Sequence, residues 1–191
     1  REGEDKRYAR ILRKDREKGR FASAALTKIF LSQSVLLFLV SSPAQYGILE
    51  ASSLTPISGL ALFGLGLWAV GIVFEWFGDW QLARFKADPA NRGKVMDRGL
   101  WRYTRHPNYF GDACVWWGIW IAAASAGWWV AAVTVIGPLF LTFTLTKWSG
   151  APLLERGMKA SRPGYEEYKA RPSAFFPLPP RKRSSRSREG V

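Results

Sequence analysis

Charge-rich and charge-free segments alternate along the chain, and the charge-free ones are long. No Asp, Glu, Lys or Arg occurs within 29–49, 51–74 or 113–146. A bilayer core takes about 20 apolar residues per helical crossing, so the first two runs each supply one span and the third supplies two short ones. The pattern predicts spans over roughly 25–42, 54–77, 109–125 and 128–147. Pro43 is expected to end the first and Pro138 to kink the fourth. Gly59, Gly64, Gly66 and Gly71 fall in the second span, either as a face for a close neighbour or as flexible filler. Residues 78–109 read as a basic loop broken at Gly93 and Gly99.

Composition sharpens this into an all-α, multi-pass membrane bundle of four spans. The 191 residues carry 28 Lys and Arg against 15 Asp and Glu, a net charge of +13. Of those 28 basic residues, nine lie in 1–20, seven in 84–105 and eleven in 147–191, with Lys28 left over. The connections 43–54 and 125–127 hold no Lys or Arg. Four spans put every basic segment on one face, which the positive-inside rule makes cytoplasmic, together with both termini. Trp128 and Trp129 then sit at the outer interface, and Trp76, Trp80, Trp101 and Trp148 near the inner one. The first twenty residues read as a solvated helix or arm. No base-reading motif accompanies the positive charge, so nucleic acid is not an expected partner. Residues 1–180 form the membrane domain, and the Ser/Arg-rich 181–191 reads as a disordered basic tail. The single Cys114 and single His106 exclude an internal disulfide and any thiolate-cluster or multi-histidine metal site. The chain opens on Arg1 and not Met, so preceding spans are expected to be missing.

Chemistry-bearing residues concentrate at the inner ends of the spans. Glu75 and Asp79, and Asn108 and Asp112, are pairs four apart, each on one helix face. Between them, residues 99–112 (GLWRYTRHPNYFGD) gather Trp101, Arg102, Tyr103, Arg105, His106, Asn108, Tyr109 and Asp112 where a helix begins. Pro107 suits a first helical turn, and free amides there favour anions. Arg102, Arg105 and His106 add charge-assisted donors for phosphate, and Trp101, Tyr103 and Tyr109 add flat faces for a ring. The residues alone describe a site for an anionic, ring-bearing cofactor beside an apolar cavity. For His106 by itself, an interfacial side chain with no special role is the plain alternative.

The run Arg105-His106-Pro107-Asn108-Tyr109-Phe110-Gly111-Asp112 after Gly99-Leu100-Trp101-Arg102-Tyr103-Thr104 resembles the signature of steroid 5-alpha-reductase-like membrane proteins, in particular their uncharacterised bacterial branch. Also similar are Glu75-Trp76-Phe77-Gly78-Asp79-Trp80-Gln81, Ser149-Gly150-Ala151-Pro152-Leu153-Leu154-Glu155, Pro163-Gly164-Tyr165-Glu166-Glu167-Tyr168 before Phe176-Pro177, and the upstream Gly3-Glu4-Asp5 with Tyr8. The likeness runs in order nearly to Pro180.

The resemblance implies an integral oxidoreductase of a bacterial cytoplasmic membrane that reduces a carbon–carbon double bond of a steroid-like or other lipid with NADPH. It implies that Asp79, Asn108 and Asp112 contact the cofactor and that Lys86, Lys94, Arg102 and Arg105 hold its phosphates. Tyr103, His106 and Tyr109 join the same cofactor set. Glu155, Tyr165 and Tyr168 match a C-terminal motif that closes over it. The basic groups favour NADPH over NADH through its extra phosphate. Steroid enzymes of animals lack the Arg-His-Pro, so steroid specificity does not follow. Their substrate-activating Glu and Tyr belong to spans that would precede Arg1, which leaves the proton donor unnamed. The rival is an S-adenosylmethionine-dependent methyltransferase resembling the isoprenylcysteine and phospholipid methyltransferases, which share Arg-His-Pro-x-Tyr. A non-enzymatic bundle that binds lipid or a partner subunit is the third reading.

Overall fold

The structure, a computed structural model, describes residues 6–51 and 56–181. The Gly3-Glu4-Asp5 motif, the expected start of the second span near 54 and nearly all of the 181–191 tail lie outside the described residues. Within them the chain is mostly helical and forms no strand beyond one isolated bridge.

Helix α1 (Lys6–Glu17) folds back on the start of the next rod, so the N-terminal arm is docked. Its Leu12 is buried with Ala24 and Ile29, with Tyr8 against them. Lys28 pairs with Asp15 at 2.6 Å, and Gln33 donates to the Tyr8 hydroxyl at 2.7 Å. Helix α2 (Phe21–Ala25) runs through a π-helical stretch, Leu26–Leu31, into α3 (Ser32–Glu50).

Contrary to expectation, Pro43 does not stop this rod but lies buried within α3. A proline removes the N–H that would bond the carbonyl four residues back. That carbonyl, on Leu39, instead accepts from the Ser42 hydroxyl at 2.8 Å, which is how helices in membranes tolerate proline.

The rod Phe21–Glu50, helix α4 (Gly59–Ala87) and the rod Trp128–Ser161 are long and apolar enough to cross a bilayer. Ser58 caps α4, its Oγ accepting from the Ala61 amide at 3.1 Å. The helix continues ten residues past the expected end of its span, so 78–87 is helix and not loop. Nothing breaks it before Asp88-Pro89, where the residue preceding proline is held extended, with ψ 115°. Gly93 and Gly99 do break the chain, at φ 79° and 58°.

Helix α5 (Pro107–Ala124) runs antiparallel along α4, backbone against backbone. Gly64, Gly71 and Gly78 of α4 recur every seven residues and so share one face, opposite Gly111 and Gly118 of α5. A Cβ on Gly71 would lie 2.6 Å from the Gly111 carbonyl, and one on Gly118 would lie 2.5 Å from the Trp68 amide. The expected glycine face is therefore real for Gly64 and Gly71, whereas Gly59 and Gly66 have open space around them.

Helices α6 (Trp128–Thr134) and α7 (Ile136–Phe143) follow, with the break at Val135. Pro138 causes it by leaving the Thr134 carbonyl without its helical donor. Trp117 and Trp120 of α5 tie these helices in by donating to the Thr142 hydroxyl and the Ala131 carbonyl, each at 3.0 Å. A second π-helical stretch, Thr144–Trp148, leads to α8 (Ala151–Ser161), and Gly164, at φ 82°, turns the chain into α9 (Tyr165–Lys169).

Candidate functional site

Residues far apart in sequence meet where α4 ends and α5 begins. Gly78 lies against Pro107, which brings the long connection back over α4. The Trp101 indole donates to the Gly78 carbonyl at 3.0 Å, and the Leu100 amide to Gln81 Oε1 at 3.0 Å. Trp101 is thus buried as a bracket of this connection. It is neither an interfacial tryptophan nor a free face for a ring, because its N–H found a carbonyl partner inside the protein. Trp76, Trp80, Trp128 and Trp148, by contrast, remain exposed.

The C-terminal segment clamps the same connection. Thr104, with no exposed surface, bridges in parallel to Ser173 and donates to the Phe175 carbonyl at 2.8 Å. The Arg105 amide donates to the Ser173 carbonyl at 3.0 Å, and the Tyr168 hydroxyl to the Trp101 carbonyl at 2.7 Å. Phe110, Phe175 and Phe176 stack edge to face behind them.

These constraints converge on Glu155. One of its oxygens accepts from Arg105 Nε at 2.8 Å and meets His106 Nε2 at 3.1 Å; the other faces Lys169 Nζ at 2.7 Å. The Ser149-Gly150-Ala151-Pro152 turn aims α8 so that this carboxylate faces inward. A Cβ at Gly150 would collide with the Leu145 carbonyl, and Pro152 fits the first turn. Burial pushes the His106 imidazole below its usual range, against the opposing pull of Glu155. The ring is therefore neutral, and since a carboxylate only accepts, Nε2 carries the proton. Tyr109 stacks on this imidazole, centroids 5.2 Å apart. Burial also raises the hydroxyl of Tyr168, and pushes that of Tyr165 up to about 12, so both stay protonated.

Beside Glu155 opens a cavity of about 690 Å³. Its polar wall holds Arg105, Lys147, Arg156, Lys159 and Lys169 against the carboxylates Glu155 and Glu166. Its apolar wall includes Pro152, Phe175 and Phe176, and Thr142 and Thr146 complete it from the rod that ends in the second π-helical stretch. A volume in this range suits a cofactor or drug-sized ligand.

The expected site residues thus separate into groups. Arg105, His106, Tyr109 and Glu155 come together, with Tyr165 and Tyr168 buried in the adjoining α9. Asn108 donates to Asp79 at 3.1 Å across the α4–α5 seam. Asp112 is half-buried one turn further along α5. None of Asp79, Asn108 and Asp112 lines the cavity beside Glu155. Lys86 is exposed in the last turn of α4, and Lys94 is exposed, its carbonyl bonded by Arg162. Tyr103 is exposed, and Arg102 opens into a different cleft. Sequence reasoning missed Lys169, one residue beyond the Tyr165-Glu166-Glu167-Tyr168 motif; only the fold shows that it is the second cation on the buried Glu155 carboxylate.

No curated protein and no solved structure gives a significant match to this chain. A family profile described as "Protein of unknown function (DUF1295)" matches residues 1–172, so the span α1 to α9 with its Arg105–Glu155–Lys169 cluster lies within one recognised unit, and the chain belongs to that family.

Proposed function

We propose that this protein is an integral membrane oxidoreductase that reduces a carbon–carbon double bond of a lipid-like substrate with NADPH, in keeping with its resemblance to steroid 5-alpha-reductase-like proteins. The observation that carries the reading is the charge of the cavity wall, five cations against two carboxylates. Excess positive charge suits a cofactor bearing several phosphates and opposes S-adenosylmethionine, whose sulfonium is itself cationic. Arg105, Lys169 and Lys147 would hold the phosphates, and Phe175, Phe176 and Pro152 an aromatic ring or the substrate's apolar body. NADPH bound there supplies a hydride. The chain's own residues would orient it, with Glu155 keeping Arg105 and Lys169 in place.

The accompanying membrane arrangement has four spans, with α5 crossing beside α4. The backbone seam it shares with α4 supports this fourth crossing, although Asn108 and Asp112 lower its apolarity. Both described chain ends and the 88–106 connection face the cytoplasm of a bacterial inner membrane. Calorimetry on purified protein in detergent with NADPH, NADH and S-adenosylmethionine tests the reading. NADPH should bind most tightly, and Lys169→Gln should weaken it; tighter binding of S-adenosylmethionine overturns the reductase assignment in favour of the methyltransferase one.

A further inference from the structure

A second cleft, of about 520 Å³, lies apart from the cavity beside Glu155 and shares no lining residue with it. Arg98, Arg102, Arg171 and Arg181 all line it, with Asp97 the one carboxylate among its lining residues. Asp97 meets Arg171 at 3.4 Å, and among the described residues no ion pair engages Arg98, Arg102 or Arg181. The Nε of Arg171 is buried without a hydrogen-bond partner.

The positive-inside rule explains basic residues on this face but not their convergence. That comes from the backbone. Gly99, at φ 58°, lies so close to Gln81 that a Cβ would fall 2.5 Å from its amide oxygen, which fixes the chain between Arg98 and Arg102. Tyr168 holds the Trp101 carbonyl, and the Arg181 amide donates to the Arg171 carbonyl at 3.0 Å. Guanidinium groups do not shed a proton to relieve mutual repulsion, so relief requires a counter-anion. A tetrahedral phosphate offers oxygens to several planar donor forks at once, which one carboxylate does not.

We infer that this arginine cleft binds a phosphate group, whether free or in the headgroup of an anionic lipid. The inference stands apart from the NADPH reading. Purified full-length protein in detergent is titrated calorimetrically with inorganic phosphate, with dihexanoyl phosphatidic acid and with dihexanoyl phosphatidylcholine. Saturable binding of a phosphate group is expected, about tenfold weaker in Arg98→Gln/Arg102→Gln and changed less than about twofold in Arg13→Gln/Lys14→Gln, which removes equal charge from α1. Phosphatidic acid binding well above inorganic phosphate identifies the lipid as the source, and equal affinities identify free phosphate. Arg171→Lys keeps the charge, removes the fork and should also weaken binding. The inference is overturned by no saturable binding to any probe, by equal weakening in the α1 variant, or by unaltered affinity in a folded Arg171→Lys protein.

Discussion

Replacing Gly71 with alanine should destabilise the protein, while the same change at Gly66, on the same helix, should stabilise it. A Cβ at Gly71 would sit 2.6 Å from both the Gly111 carbonyl and the Val115 amide, and 2.8 Å from a Val115 methyl. Two of these neighbours are backbone and give way only if α4 and α5 move apart. Gly64 and Gly78, seven residues to either side, oppose that movement because each is itself pressed against α5. Overpacking of this kind costs about 1–3 kcal/mol, and parting the backbones also weakens Cα–H···O contacts of about 0.5–1 kcal/mol each. Alanine returns roughly 1 kcal/mol of helix propensity. The net expectation is a loss of about 2 kcal/mol at Gly71 and a gain of about 1 at Gly66, which meets nothing within 4 Å. At roughly 2–4 °C per kcal/mol for a chain of this size, the two variants should melt about 6–12 °C apart. Thermal unfolding in one detergent, followed by circular dichroism, reads the difference. Equal melting temperatures would refute the seam as the organising contact.

Three further outcomes are expected. Glu155→Gln removes the acceptor shared by Arg105, His106 and Lys169 and should cost about 2–4 kcal/mol, seen as a lower melting temperature; a shift no larger than that of Glu50→Gln, at an exposed position, would contradict the cluster's role. His106 has its folded pKa below 6.5, mainly through burial, so the unfolded chain takes up the proton first as pH falls. Stability is then undiminished above pH 6.5 and declines below it, and His106→Gln should flatten that slope in a pH series of melting curves. In a Cys114→Ala background, cysteines at Ser125 and Arg92 should label from opposite sides of intact cells, and labelling from one side would rule out four spans.

The residues explain what the sequence made visible and what it concealed. Charge-free runs are a one-dimensional signal, so the rods could be read directly. The seam needed the register between two helices: Gly59 and Gly66 look like Gly64 and Gly71 in the chain, and only the angular position separates them. Pro43 reads as a helix end unless Ser42 is known to take over the stranded Leu39 carbonyl. Arg105, His106 and Glu155 were legible because they belong to spaced motifs. Their closure by Lys169 was not, since a lysine in a Lys- and Arg-rich tail carries no distinguishing mark. Trp101 misled for a related reason, because an indole near a membrane face and an indole bonded to a buried carbonyl read alike in sequence.

The clamp between residues 103–105 and 173–178 also fixes when the site can exist. Chains emerge from the ribosome N-terminus first, so α4 and α5 can pair along their glycines while the last stretch is still unmade. Thr104 then waits for Ser173 and Phe175, the Trp101 carbonyl for Tyr168, and Arg105 for Glu155. A chain stopped at residue 164 would still carry Arg105, His106 and Glu155 and the α4–α5 packing, yet lack Lys169 and the contacts from Tyr168, Ser173 and Phe175 that close the cluster. Closure of the cluster is therefore a late step, later than the pairing of α4 with α5.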